Sequence, residues 1–300
     1  MKKGFKLTME KREKLEGLFF VSPFLIGLAV FFAYPLFLSI KLSFGKVTNI
    51  VGFKIKLVGT ENYVRAFLVD TNFIPMFLEV VQKTITEAPL IIIMALLIAI
   101  LINKDIKGRG FFRVVFFIPF LLGTGEVMNQ LLSQGVDKAV LSITDGKLIP
   151  YEVFAYFGST VIEVVDNVFG TLVQVLWSSG VQILLFLSGL QGISESLYES
   201  AKVDGATEWE IFWKITWPMM APTTFLCIVY TLVDSFTKIK NPILKYIQEY
   251  AFKKTQFEYA AAMGWIYFVF IILLVLLVNL VMSKYINALN YGGGKKRESK

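Results

Sequence analysis

The residues of this chain whose types and spacing could do chemistry are the polar ones that interrupt its apolar stretches. Glu126, Asn129, Gln130 and Ser133 fall at i, i+3, i+4 and i+7, and Gln174, Ser178 and Gln182 at i, i+4 and i+8, so each set lies on one face of a helix. Further on, Tyr230 shares a face with Asp234 and Thr231 with Ser235, while Trp177, Trp265 and Tyr267 supply flat ring faces. Polar faces of this kind, with rings able to stack on the apolar side of a solute, outline a path for a polar substrate. The same groups also make helix-to-helix hydrogen bonds, and the spacing does not choose between the two uses. A charge inside a membrane costs a few kcal/mol, so Glu126, Asp234 and Glu87 are expected to face water, a partner or a solute.

Covalent and metal chemistry find no agents. The chain has no histidine, and its one cysteine, Cys227, sits in an apolar segment, which excludes imidazole bases, His/Cys metal cages and disulfides. No G-x-x-x-x-G-K-[ST] phosphate loop is present, and Gly292-Gly293-Gly294-Lys295-Lys296 has the wrong spacing and no following helix. No cofactor is expected in this chain, and work driven by ATP and Mg would have to be done on a separate polypeptide. The net charge of +7 comes from basic residues flanking apolar segments, with no basic helix interleaved by aromatics, so nucleic acid is not an expected partner and membrane lipid is.

The elements that must position these residues are membrane spans. With 55% hydrophobic residues and 28 Phe among 300 residues, one soluble core could not hide the apolar surface. Six segments suit spans of roughly 17–25 residues: 23–44, 83–103, 111–132, 171–190, 219–237 and 264–283. The fold class is therefore an all-α integral membrane protein with six transmembrane helices. The first segment is too long and too rich in proline for a cleaved signal, and stays on the protein. Ser22-Pro23 reads as a helix start, with a charged surface helix over 8–16 before it, and Pro35 predicts a kink in mid-membrane. Six spans put both ends on one side. The short loop 104–110, with Lys104, Lys107 and Arg109, marks that side as the cytoplasm of a bacterial-type cell membrane, although the external loops 45–82 and 238–259 also carry lysines.

Between the fourth and fifth spans lies a charged stretch, Glu199 to Pro218, ESAKVDGATEWEIFWKITWP. Ser196-x-x-Glu199 and Thr207-x-x-Glu210 are two capping boxes, so two short helices should meet at Gly205, where glycine tolerates a positive φ or a close neighbour.

This stretch resembles the EAA loop of permeases in the ABC importer superfamily. Glu199, Ala201, Gly205, Ile215 and Pro218 are in register with that pattern, Ser200 stands for its second alanine and Trp217 for its leucine. The segment from Ser22 to Phe44, KGRGFFRVVFFIP from Lys107, and LFLSGLQGISESLYESAKVDGA are similar to type I, binding-protein-dependent (MetI-like) importers of the glycerol-phosphate and maltose class, first-subunit type. Lys83-Thr84 replaces the usual Asn-Thr, and 234–246 lacks the usual Gly-Gly-Pro.

The resemblance implies a cytoplasmic coupling loop at 194–218, with Glu199, Ser200, Ala201, Asp204, Gly205, Ala206, Ile215 and Pro218 meeting an ATP-binding cassette ATPase. It also implies a second permease subunit, an extracytoplasmic solute-binding protein and a sugar or oligosaccharide cargo moved by alternating access. The translocation path is then expected along Glu126, Asn129, Gln130, Gln174, Trp177, Ser178, Gln182, Tyr230, Asp234 and Trp265. The chain divides into a cytoplasmic segment 1–22, a first helix and external loop 23–76, a transmembrane domain 77–284 and a basic cytoplasmic tail 285–300. An ATP-independent carrier or channel, or a permease for an amino acid or peptide, is the alternative.

Overall fold

The computed structural model describes residues 9–49, 54–103, 110, 171, 175–176, 178–238 and 241–294. The predicted third span, 111–132, lies outside them, as do Glu126, Asn129, Gln130, Ser133, Gln174 and Trp177. Among the described residues, three helical stretches are long and apolar enough to cross a membrane: Glu16–Ser43, Phe73–Asn103 and Phe257–Ile286. A fourth arises if Glu208–Met219 and Ala221–Thr237, bent by 65° at their junction, are counted as one span. The chain forms two units, Met1–Phe77 with Pro242–Phe270, and Leu78–Asn241 with Ile271–Lys300.

In the first unit the opening helix begins earlier than the sequence suggests. It runs from Met9 to Leu28 with Pro23 inside it, and the Ser22 hydroxyl donates back to the Phe19 carbonyl at 2.7 Å instead of capping a new start. The charged surface helix and the first span are thus one rod, because nothing in Thr8–Glu16 stops a helix once a long apolar run follows it. Pro35 does break the regular ladder, through a π-helical turn over Ala29–Ala33 before the helix resumes as Tyr34–Ser43. A proline lacks an N–H and its ring pushes away the carbonyl four residues back; widening the preceding turn accommodates both. The Tyr34 N–H accordingly reaches the Ala29 carbonyl, five residues back.

After Ser43 the chain forms an antiparallel two-stranded ribbon, β1 (Gly45–Asn49) and β2 (Lys54–Leu57), so the all-α reading needs correcting in this segment. Asn62, nearly buried, closes the ribbon's base by donating to the Ser43 carbonyl at 3.1 Å and the Gly45 carbonyl at 2.8 Å. Asp70 then accepts the Asn72 and Phe73 backbone N–H groups and starts the Phe73–Asn103 helix ten residues before the predicted span.

In the second unit, the Phe73–Asn103 helix contributes Ala95, Ala99 and Ile102 to a core. Ile183, Phe186, Leu187 and Leu190 of the Gly180–Gln191 helix complete it with Met220 and Cys227. Each large side chain buried there contributes about 1.5–3 kcal/mol. Contact between the Gly180–Gln191 and Ala221–Thr237 helices depends on Gly189, where a Cβ would lie 2.5 Å from Thr223 Oγ1 and 2.9 Å from Met220 Cε.

Candidate functional site

The charged loop is two short helices whose junction is set by backbone hydrogen bonds. The first spans Glu195–Val203 and is preceded by Ser194, whose hydroxyl lies 2.8 Å from that of Ser196. The expected Ser196–Glu199 capping box is therefore not formed, because the helix begins one position before Ser196 and encloses it. Glu199 is left exposed, and its carboxylate has no hydrogen bond or ion pair among the described residues.

The helix ends as glycine dictates. The Ala206 N–H reaches the Ala201 carbonyl at 2.9 Å and the Gly205 N–H the Lys202 carbonyl at 3.0 Å, the paired bonds of a Schellman terminus. This terminus needs a left-handed residue at its glycine, and Gly205 has φ +78°. Among the described residues nothing lies within 4 Å of where a Gly205 Cβ would be, so of the two reasons for glycine there, the positive φ is the one this structure supports. Asp204 is the exposed cap residue, and Ala201 and Ala206 are half-buried on either side of the turn.

The second helix, Glu208–Ile211, begins with the predicted Thr207–Glu210 capping box. Thr207 Oγ1 accepts the Glu210 N–H at 3.3 Å, and the Glu210 carboxylate accepts the Thr207 N–H at 3.0 Å and Lys214 Nζ at 3.1 Å. The Thr207 N–H, then Lys214, hold the Glu210 carboxyl down at about 2. Lys202 and Glu208 face each other across the Gly205 turn at 3.9 Å, and the Tyr198 and Thr216 hydroxyls lie 3.2 Å apart. The chain then enters a π-helical turn, Phe212–Thr216, ahead of Pro218, the arrangement already seen before Pro35. Half-buried Ile215 lies within this turn, and half-buried Pro218 just after it.

Part of the predicted solute-binding set also comes together in the second unit. Gln182 is fully buried and donates to Thr231 Oγ1 at 2.9 Å, while Thr231 donates to the Cys227 carbonyl at 2.7 Å. The amide thus joins the Gly180–Gln191 and Ala221–Thr237 helices and, in this conformation, presents no open face. Ser178 and Asp234 instead meet at a residue absent from the predicted set: Lys238 donates to Ser178 Oγ at 3.2 Å and lies 3.8 Å from Asp234 Oδ2. The Asp-to-Lys spacing of four was the signal available in the sequence. Tyr230 is half-buried one turn before Asp234. Glu87 faces Lys83 at 3.6 Å. Among the described residues no group of three or more acidic or cysteine side chains could hold a metal.

Trp265 belongs to the first unit, where its indole donates to Ser39 at 3.1 Å, and Tyr267 is buried edge-on against Phe77. That unit also holds a network that no spacing along the chain announces. The Tyr259 hydroxyl donates to Asp70 at 2.7 Å, and the Tyr246 hydroxyl lies 3.0 and 2.9 Å from the two Asp70 oxygens. The Arg65 guanidinium lies 4.2 Å over the Tyr259 ring, and Lys254 Nζ 3.7 Å over Tyr250. Burial raises the Asp70 carboxyl, but the tyrosine and backbone donors outweigh it and hold the group below its ordinary value.

Residues 60–290 match the family described as binding-protein-dependent transport system inner membrane component. The chain is 26% identical to the probable ABC transporter permease protein YesP of Bacillus subtilis, covering 92% of this chain and 93% of that one. It is also 26% identical to the multiple sugar-binding transport system permease protein MsmF of Streptococcus mutans, over 89% and 94% of the two chains. Among solved structures, a chain of a bacterial alginate ABC transporter, in complex with alginate pentasaccharide-bound periplasmic protein, superposes with a TM-score of 0.63 at 20% identity, covering 93% of this chain and 98% of that one, a likeness of fold. A family match across more than three quarters of the length, on a chain of apolar helices joined by a capped, glycine-hinged loop, makes this protein a member of the binding-protein-dependent transport system inner membrane components.

Proposed function

We propose that this chain is a permease subunit of an ATP-driven importer, carrying a sugar or oligosaccharide delivered by an extracytoplasmic binding protein. The single observation that supports the ATP-driven part best is the rigid turn at Gly205. It fixes an exposed Glu199, Ser200 and Asp204 beside a second capped helix, so the loop presents a charged knob of set shape. In this reading the knob, with Ala201, Ala206, Ile215 and Pro218 behind it, docks on an ATPase subunit that holds ATP and Mg. The Glu199 carboxylate, free of any partner among the described residues, meets a basic residue there.

The sugar part rests on relatives whose names specify sugars, including MsmF and the arabinooligosaccharides transport system permease protein AraP of Bacillus subtilis. The working arrangement has six spans, both ends cytoplasmic and a second permease beside this one, moving cargo by alternating access. The path is drawn along Ser178, Tyr230 and Asp234, with Lys238 added, and along Glu126, Asn129, Gln130, Gln174 and Trp177. Gln182 acts in holding the helix pair.

The test is sugar uptake and nucleotide hydrolysis in liposomes, with this chain alone and with its co-expressed ATPase, second permease and binding protein. Uptake is expected only with the partners. Robust uptake by this chain alone would overturn the importer reading in favour of an ATP-independent carrier.

A further inference from the structure

One aromatic surface is unused by the proposed docking or path. Trp209, Trp213 and Trp217 recur every four residues and form an edge-to-face ladder, with ring centroids 5.5 Å apart at the first step and 6.1 Å at the second. Phe212 packs against all three. The inner end of the ladder is anchored, since Phe212 and Trp217 lie against the apolar core and Ile211 and Thr216 are buried. The outer end is open: Trp209 is 70% exposed and Trp213 47%.

Three observations bear on what covers it. The segment runs directly into the apolar Ala221–Thr237 helix, and the two together make one bent candidate membrane span. It is bent by 65° from that helix, so when the helix stands near the membrane normal the ladder runs closer to the membrane plane. Glu208, Glu210 and Lys214 lie on the same short segment as the rings, which disfavours immersion in hydrocarbon and suits the boundary layer, where one side is wet and the other apolar. Tryptophan, with an apolar body and a polar N–H, prefers this layer.

We propose that Trp209 and Trp213 form a lipid anchor, seated among phospholipid headgroups on the second half of the charged loop. The anchor fixes the height of the loop relative to the membrane. It stands apart from the docking role of Glu199 and does not depend on it.

The test uses the full chain carrying Trp177→Phe and Trp265→Phe, reconstituted in phosphatidylcholine–phosphatidylglycerol vesicles with acyl chains brominated near the headgroup or near the chain end. Headgroup-proximal bromine should quench tryptophan emission more than deep bromine. Trp209→Phe and Trp213→Phe should each remove part of that quenching, and together most of it, leaving Trp217. Aqueous iodide should quench these rings less in vesicles than in urea-unfolded protein. Quenching unchanged by both substitutions, or preferential quenching by deep bromine, would overturn the proposal. So would rings that iodide reaches freely, which are in water, or rings that neither quencher reaches, which are covered by protein.

Discussion

Replacing Gly205 tests whether the loop works through its backbone. The glycine has φ +78° and, among the described residues, no atom within 4 Å of a would-be Cβ, so the cost of a side chain there is conformational rather than steric. A left-handed non-glycine residue costs roughly 1–2 kcal/mol, with β-branched valine at the upper end and asparagine lower. One to two kcal/mol changes the population of the turn by a factor of about 5–30. The Schellman bonds from Gly205 and Ala206 should weaken accordingly, and the second helix should lose its fixed angle to the first. Gly205→Val is therefore expected to uncouple transport strongly, Gly205→Ala measurably and Gly205→Asn least. Glu199→Ala removes no partner among the described residues, so its effect should fall on docking; truncating one member of an interfacial ion pair costs about 2–5 kcal/mol, more than tenfold in affinity. The assay is ATPase co-purification and sugar uptake at matched membrane expression. Asparagine behaving as badly as valine would refute the backbone argument, and unchanged ATPase recovery with Glu199→Ala would refute the docking role.

Thr207→Ala should cost about 1 kcal/mol of local helix stability, seen as faster amide exchange at 207–210. The Glu210 carboxyl is depressed in the folded loop, so its share of the cap is fully present above the ordinary carboxylate value of 4.5 and lost as pH falls from there through about 2; amide protection at 207–210, relative to the intrinsic exchange rate at each pH, that does not fall in that window would contradict it. Gly189→Ala should strain the helix pair by about 1–3 kcal/mol, and Thr223→Ala should relieve much of it, read as the melting temperature in detergent. Asp70→Ala should lower the melting temperature more than Asp70→Asn, which keeps an acceptor oxygen for the tyrosines. Because the Asp70 carboxyl lies below its ordinary value, the wild-type advantage should persist above the unfolded carboxylate value and fade as pH drops through the folded one. Single cysteines at Lys107 and Gly146, in a Cys227→Ala chain, should label from opposite sides of the membrane; labelling from one side would sink the six-span topology.

What the sequence alone determined is what depends on neighbours along the chain. Long apolar runs demand lipid, Thr207-x-x-Glu210 can satisfy its own helix start, and a glycine after a helical run favours a left-handed stop; each is a property of a few consecutive residues. The absence of histidine removes whole classes of chemistry in any fold. The start of a helix was less legible, because a cap competes with whatever the tertiary structure supplies: Ser196 lost to a start at Ser194, and the Phe73–Asn103 helix begins where Asp70 accepts its first N–H groups. Polar faces were legible as faces but not by destination. Gln182 is buried because Thr231, 49 residues away, meets it, whereas Asp234 stays half-exposed beside Lys238. Asp70 becomes the hub of a network only through tyrosines 176 and 189 residues further on. No periodicity records such pairings. They exist because packing brings distant donors to one acceptor, and a buried acceptor that found none would cost the fold its desolvation penalty.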